Sequence, residues 1–331
     1  MKKKSLLVLS MIILMAALAG CGGATTKESK TITLSDAGWD SIKFHNAVVS
    51  LIADKAYGLK TTVVSGSTPI THTALLRGDI DVNLETWSDN ILTYRDDLKN
   101  GAIVELGTNF DDNRQGLYVP RYVIEGDAKR GIKAVAPDLK TVADLKRYSH
   151  VFVDEENPSK GRIYGAIPGW AVDEVLFKKF NYYKLNENYN YFRPGSEATL
   201  NASFVTAYEK GLPIVGYNWE PTWVSGKLDL VLLEDAPYTV EGFKEGKTAA
   251  RAVPVVIAAN KKLLQKAPEF AEFLKKYRTS SALTAEALAY IADNKASYDE
   301  AAVYFLKKHD NLLDKWLSAD KAKAVRSAIT K

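Results

Sequence analysis

Short apolar runs alternate with helical patterns along most of the chain, and this alternation limits the fold more than any other feature. The first part has strand patterns at residues 31–34, 61–64 and 80–84, with helical patterns at 41–57 and 69–77 between them. Strands that alternate with helices predict βαβ units, in which helices cover a mainly parallel sheet. The sequence therefore predicts an α/β fold.

The alternation restarts in the middle of the chain and indicates a second sheet. Its members are strand patterns at 116–120, 150–154, 190–192 and 213–219 and helical patterns at 141–147, 171–180 and 197–210. An apolar strand follows at 252–258, and from residue 261 onward the chain is almost wholly helical. A helical tail needs a surface to cover, and we expect it to cover the first sheet.

We therefore predict two lobes, each a mainly parallel sheet flanked by helices. The length of 331 residues is sufficient for two cores. We expect lobe I to comprise residues 31–118 and 250–331 and lobe II to comprise residues 119–249, with extended crossings near 117–121 and 249–256. Pocket-forming residues are then expected on loops between the lobes, where small-molecule sites are common.

The first 20 residues have the pattern of a secretory signal peptide. Three lysines at positions 2–4 precede an apolar run at 6–18, which is short for a membrane span. The sequence Leu-Ala-Gly-Cys at 18–21 resembles a bacterial lipobox, in which Cys21 is acylated and becomes the first residue. The alternative is an uncleaved signal anchor, but the small residues at the cleavage positions favour processing. Residues 21–30 are small and polar, and we interpret them as a flexible tether.

Composition and motifs exclude several classes of function. The net charge of +4 falls to +1 without the three lysines of the signal peptide, so no strong field favours nucleic acid. Because Cys21 is the single cysteine, no disulfide or thiolate metal site can form within the chain. The chain lacks a P-loop, a dinucleotide-binding glycine motif, HExxH and GxSxG. We therefore expect no enzyme, no cofactor and no metal, and a membrane-tethered hydrolase that uses cleft carboxylates is the alternative.

Tryptophans are placed where predicted strands end or helices begin. Trp39 follows the first strand, Trp87 follows the strand at 80–84, Trp170 opens a helix and Trp219 ends a strand. In open α/β sheets that edge is where ligands bind. The alternative is that each indole fills a core beside a turn, as we expect for Trp316 in the helical tail. Several tryptophans at equivalent strand ends favour one shared aromatic site.

An aromatic site of this kind suits a fully methylated nitrogen. A quaternary ammonium group cannot donate a conventional hydrogen bond, so no acceptor can bind it directly. Each indole face attracts such a cation by about 0.5 to 2 kcal/mol. Micromolar affinity needs about 8 kcal/mol, so contacts with the other end of the ligand and its dehydration must supply the balance.

At this point the chain resembles the glycine betaine and proline betaine binding proteins of ABC importers. The resemblance extends from about residue 31 to the helical tail, and three segments carry it: Gly-Asp-Ile-Asp-Val at 78–82 with Glu-Thr-Trp at 85–87, Pro-Gly-Trp at 168–170, and Asn-Trp-Glu-Pro-Thr-Trp-Val at 218–224. It implies a type II periplasmic-binding-protein fold, in which two lobes close over the ligand. It also implies a cage built on Trp87, Trp170 and Trp219.

The chain departs from this family where the ligand's anionic end is bound. Family members often use a histidine, and the two positions at which it occurs are Ile91 and Thr222 here. The backbone amides of Ala171 and Val172 at a helix N-terminus are candidates for holding an anion, with a weaker hydrogen bond from Thr222. Ser67 is a further candidate donor, although ordinary helix capping explains it equally well.

Three carboxylates lie close to the tryptophan segments in the sequence. Glu85, Asp89 and Glu220 are candidates for favouring a ligand with more positive charge, and Glu85 is the one that we assign to the site. The alternative is that they cap helices or pair with lysines. Glycine betaine, choline, carnitine and other methylated amines all fit the predicted cage.

Taken together, these features predict an extracytoplasmic lipoprotein, anchored to the cell membrane only through its lipid. We expect a monomer that captures a quaternary-ammonium solute and delivers it to an ABC permease and its ATPase, a transport function suited to osmoprotection. The alternative with the same ligand site is a sensor that presents its closed form to a receptor.

Overall fold

The computed structural model describes residues 31–330. The predicted signal peptide at 1–20, the tether at 21–30 and the lipidation site Cys21 lie outside the described residues. No helix within 31–330 combines the length and apolar character that a bilayer crossing requires.

The first sheet has five strands in the order β2-β1-β3-β11-β4. β1 pairs in parallel with β2 and β3, whereas β11 runs antiparallel to both β3 and β4. The strands and the helices between them are β1 Thr31–Asp36, α1 Asp40–Tyr57, β2 Lys60–Ser65, α2 Thr68–Arg77, β3 Val82–Thr86, α3 Tyr94–Lys99, β4 Ile103–Phe110 and, after the second sheet, β11 Val255–Asn260.

The second sheet is formed by the middle of the chain. Its strand order is β10-β5-β9-β7-β6, and β8 pairs with β7 outside this path. Its elements are β5 Gln115–Pro120, α4 Arg121–Glu125, β6 Val153–Asp154, β7 Asn157–Tyr164, α5 Ala171–Tyr182, β8 Tyr189–Phe192, α6 Glu197–Lys210, β9 Gly216–Trp219, α7 Trp223–Lys227, β10 Leu230–Leu232 and α8 Val240–Lys244. Short 3₁₀ helices occur at Val142–Arg147, where Thr141 and Asp144 form the predicted capping box, and at Leu185–Glu187.

Six helices follow β11 and pack on the first sheet. They are α9 Leu263–Lys266, α10 Pro268–Lys276, α11 Ser281–Asn294, α12 Tyr298–Lys308, α13 Asn311–Trp316 and α14 Ala319–Ile329. Side chains from these helices share one buried cluster with β1, β3 and α1, and this cluster includes Phe273, Phe305 and Trp316. The predicted role of the helical tail is thereby confirmed, and Trp316 lies in the core.

The α/β class and the two-sheet organisation are confirmed, but both sheets are mixed rather than mainly parallel. In the first sheet, β11 returns from lobe II and runs antiparallel to its neighbours. In the second sheet, β5 runs antiparallel to both β9 and β10. The strand predicted at 150–154 is reduced to Val153–Asp154, which pairs with β7. β4 and β7 are strands that the sequence pattern did not predict, since polar residues interrupt both.

The first crossing between the lobes differs in position from the expected one, whereas the second lies within the expected range. Gln115 pairs with Trp219 and Leu117 with Tyr217, so the segment expected to cross is a strand of the second sheet. The chain leaves the first sheet after Phe110 and returns through residues 249–254. We therefore place 31–110 and 255–330 in lobe I and 115–248 in lobe II.

Reciprocal hydrogen bonds join the two crossings. The side-chain amide of buried Asn113 donates to the carbonyl of Val253 at 2.6 Å, and its oxygen accepts from the Val253 N–H at 3.3 Å. These hydrogen bonds hold the two crossing segments against each other.

Candidate functional site

A cavity between the lobes contains about 430 Å³ of empty space, with the open solvent at its mouth included. Four of the six tryptophans line it: Trp39 and Trp87 from lobe I, and Trp170 and Trp219 from lobe II. Each is at most 8% exposed. The sequence pattern explains their convergence, because Trp39 and Trp170 immediately precede α1 and α5, Trp87 follows β3 and Trp219 ends β9.

The indoles are arranged edge to face. The Trp170 ring lies 5.6 Å from Trp39 and 5.0 Å from Trp219 between centroids, at interplanar angles of 85° and 87°. Tyr217 stacks on Trp219 at 5.4 Å and also lines the cavity. Four indoles and the Tyr217 ring make the walls largely apolar, and their perpendicular packing is a favourable geometry for aromatic pairs.

The N-terminus of α5 contributes polar groups to this cavity. Ala171 and Val172 line it. Both stand in the first turn, where backbone N–H groups have no partner within the helix and the helix dipole favours negative charge. These two residues thus lie where the sequence reasoning placed them.

Glu85 brings a carboxylate into the aromatic cavity. Its side chain is fully buried, and Oε1 accepts hydrogen bonds from Ser41 Oγ at 2.9 Å and from Trp87 Nε1 at 3.0 Å. Within residues 31–330, Oε2 of Glu85 and Nε1 of Trp39 make no hydrogen bond of normal geometry, but the indole N–H lies close enough to favour the ionised carboxylate. Burial raises the pKa of Glu85 to about 8, and the favourable contacts with Trp87, Ser41 and Trp39 oppose this rise only in part.

The other two carboxylates that the sequence singled out have arginine partners. Asp89 accepts from Arg251 at 3.0 Å and from Arg95 at 3.3 Å, and Glu220 pairs with Arg114 at 2.8 Å. Neither carboxylate lines the cavity. Glu85 is therefore the one of the three whose side chain lines the cavity.

Two candidate residues lie outside the cavity. Thr222 is fully buried and caps α7, where its hydroxyl accepts from the Ser225 N–H at 3.0 Å. The hydroxyl is thus committed to the helix end. Ser67 instead contacts Gly169 of lobe II. The contact is so close that a Cβ added to this glycine would lie 2.9 Å from the Ser67 Cβ.

Several lining residues were not predicted. Asn83 precedes Glu85 and Trp87 at alternate positions of β3, and Tyr217 precedes Trp219 in the same way on β9. The period of two along a strand was the signal that indicates them. Position 91 was marked by the family resemblance, and Ile91 lines the cavity, but no comparable signal marks Thr68, Thr86 and Asn90.

Polar contacts hold the two lobes together around the cavity. The Thr68 N–H donates to the Gly169 carbonyl at 2.9 Å, and the Asp40 N–H donates to Glu197 Oε2 at 2.7 Å. The Tyr238 hydroxyl of lobe II donates to Asp89 of lobe I at 2.8 Å. The arrangement is a closed one, in which a ligand of the cavity is surrounded by both lobes.

Comparison with known proteins places this geometry in a family. A family model described as the substrate-binding domain of ABC-type glycine betaine transport systems matches residues 30–308. A glycine betaine/proline betaine-binding periplasmic protein of Salmonella typhimurium is 27% identical over 90 residues, which are 27% of this chain and 27% of the relative. The match thus spans about a quarter of that relative's length.

Solved structures share the fold. A glycine betaine and L-proline ABC transporter binding protein from Borrelia burgdorferi superimposes with a TM-score of 0.72 at 20% identity, covering 89% of this chain and all of that one. An ABC-transporter choline binding protein in complex with choline gives a TM-score of 0.69 at 21% identity, with 90% and 98% covered. The predicted type II periplasmic-binding-protein architecture is confirmed.

Proposed function

The chain belongs to the family of substrate-binding domains of ABC-type glycine betaine transport systems, and we propose that it captures a quaternary-ammonium solute in a tryptophan cage and delivers it to an ABC permease. The family is one of transport proteins rather than enzymes. The resemblance that the sequence motifs suggested is thereby established.

The observation that carries this proposal is the convergence of four indoles from both lobes on one cavity. A methylated ammonium group gains about 0.5 to 2 kcal/mol from each indole face, most when water is excluded. Because Trp39 and Trp87 come from lobe I and Trp170 and Trp219 from lobe II, the full set of contacts forms only when the lobes close. Ligand binding therefore favours the closed state, as a hinge mechanism requires.

We further propose that Cys21 carries the lipid that holds the protein at the extracytoplasmic face of the cell membrane. The proposal rests on the lipobox-like sequence at 18–21 and on the family's role in import. Residues 22–30 would give the folded body a root-mean-square reach of about 16 Å from the anchor. A monomer suffices, because both halves of the cavity come from one chain.

A ligand panel tests the function. The protein is titrated with choline, glycine betaine, carnitine and proline, and thermal unfolding and calorimetric affinity are measured. A true ligand at about a hundredfold excess over its Kd adds about 2.7 kcal/mol of stability, and proline, which lacks a methylated nitrogen, measures how strictly the site requires methylation. The ligand recovered from the complex should be chemically unchanged.

A pair of variants tests the cage itself. Trp219→Ala should weaken binding by about 0.5 to 2 kcal/mol, which is about 2-fold to 30-fold in Kd, because one cage wall is lost. Phe177→Ala removes a partly exposed aromatic ring of lobe II that does not line the cavity, and it is the matched control. If no methylated amine binds to the folded wild type, or if both variants bind like wild type, the proposed function is wrong.

A further inference from the structure

Glu85 is an acidic group in a cavity whose other walls are mostly aromatic. Its carboxylate is fully buried, and only one of its oxygens, Oε1, has hydrogen-bond partners. Oε2 makes no hydrogen bond of normal geometry within the described residues, and the neutral indole of Trp39, which also lines the cavity, lies beside this carboxylate. A buried carboxylate with neutral neighbours is costly to ionise, and a cation that enters the cavity with the ligand would lower that cost.

The protein itself supplies no counterion for Glu85. Ser41 and Trp87 donate to it as neutral groups, and within residues 31–330 no ion pair joins it to a lysine, arginine or histidine. Behind it, His45 on α1 is held neutral because burial lowers its pKa to about 3. Its hydrogen-bond partner Tyr277 is also neutral, since burial and the nearby Glu85 raise the tyrosine pKa well above its usual value.

The contrast with the neighbouring acids shows that this lack of a counterion is specific to the site. Asp89 and Glu220 stand just outside the cavity, and each has an arginine partner. Positive charge thus compensates the two acids around the cavity and leaves the one inside it uncompensated.

We propose, as a refinement that rests on the proposed function, that Glu85 determines specificity by selecting a ligand with net positive charge and no carboxylate, such as a quaternary-ammonium alcohol, over a zwitterionic betaine. A cation in the cage lies close to the buried carboxylate and stabilises its ionised form. A betaine instead introduces a second carboxylate into the same enclosed space. Two carboxylates in one dry site cannot both remain ionised without a large penalty.

The protonation of Glu85 gives this selection a pH dependence. Its pKa of about 8 in the empty cavity means that burial favours the neutral acid near neutral pH. A cationic ligand prefers the ionised form and lowers the Glu85 pKa, so its binding strengthens as pH rises toward 8 and levels off above it. A betaine prefers the protonated form and raises the Glu85 pKa, so its binding is constant up to about pH 8 and weakens above it. The ratio of the two affinities therefore rises with pH.

The experiment measures the affinities of choline, glycine betaine and 3,3-dimethylbutan-1-ol, the uncharged carbon analogue of choline. Calorimetric titrations are made on wild type, Glu85→Gln and Glu220→Gln between about pH 6 and 9, a window that brackets the Glu85 pKa. Using the ratio of choline to betaine cancels every effect of pH that is common to both ligands, such as closure of the lobes. Glu220→Gln is the matched control, because it removes a carboxylate that is already paired with Arg114.

We expect wild type to bind choline about tenfold or more tightly than glycine betaine near pH 8, with a ratio that increases with pH. Glu85→Gln should bring the ratio close to one by weakening the binding of choline. The uncharged analogue should bind wild type and Glu85→Gln with the same affinity. Glu220→Gln should behave like wild type. The wild-type ratio and its pH course test the proposal even if Glu85→Gln fails to fold.

The opposite results separate two failures. If methylated amines bind but glycine betaine is preferred, or if the ratio is constant with pH and survives Glu85→Gln, the role of Glu85 is wrong while the proposed function stands. If no methylated amine binds to folded wild type, both proposals fail together.

Discussion

Trp170 is the indole whose removal should weaken binding most clearly. Its ring contacts Trp39 across the lobe interface at 5.6 Å and Trp219 within lobe II at 5.0 Å. The contact with Trp219 exists in open and closed states alike and cancels from the binding free energy. The contact with Trp39 forms only on closure, and so does the full enclosure of a ligand.

The expected loss follows from the two terms that closure provides. The edge-to-face contact with Trp39 contributes about 0.5 to 1.5 kcal/mol, and one cation–π wall contributes about 0.5 to 2 kcal/mol. Trp170→Ala should therefore weaken binding of a methylated amine by about 1 to 3.5 kcal/mol, which is about 5-fold to 400-fold in Kd.

Calorimetric titration measures this loss, and denaturant unfolding without ligand measures the separate effect on stability. Trp316→Ala is the control, because its ring packs on Tyr277 at 4.7 Å in the core of lobe I and does not line the cavity. That variant should lose about 3 to 5 kcal/mol of stability and keep the affinity of the folded fraction. A Trp170→Ala protein that binds within about twofold of wild type would refute the reasoning.

Three further predictions concern closure, the crossings and the anchor. Burial and the charge of Asp40 raise the pKa of Glu197, so the closed state favours the protonated acid. Closure is therefore less favourable as pH rises through the window above the ordinary carboxylate range. Glu197→Gln should bind ligand more tightly than wild type near pH 8 and lose that advantage near pH 5, and titrations at the two pH values check this. Asn113→Ala should cost about 1 to 3 kcal/mol in denaturant unfolding, because it leaves the buried backbone groups of Val253 without partners. Cys21→Ala should move the protein from the membrane fraction to the soluble fraction, and equal membrane retention would contradict lipid anchoring.

The sequence predicted the cavity walls because strand ends and helix starts are local features. Trp39, Trp87, Trp170 and Trp219 each stand at such a boundary, and the ends of the strands meet at one edge of a sheet. The α/β class followed from the same alternation. What these side chains bind stays a prediction.

The remaining features depend on contacts between distant parts of the chain. The sequence predicts that Leu117 lies at the start of a crossing, whereas its pairing with Tyr217 places it in the second sheet. Thr222 follows a cavity tryptophan closely, but the demand of α7 for a cap turns its hydroxyl to Ser225. The sequence also could not show that Glu85 lacks an ion-pair partner within the described residues, because this depends on which carboxylates the nearby arginines contact.

A crystal structure of the complex with choline would show whether indoles from two lobes enclose one methylated nitrogen. We expect the nitrogen within about 6 Å of the ring centroids of Trp39, Trp87, Trp170 and Trp219, the range of cation–π contact. We also expect the carboxylate of Glu85 on the same side of the ligand. A choline bound outside this cavity, or one that contacts the indoles of a single lobe, would refute the proposed cage.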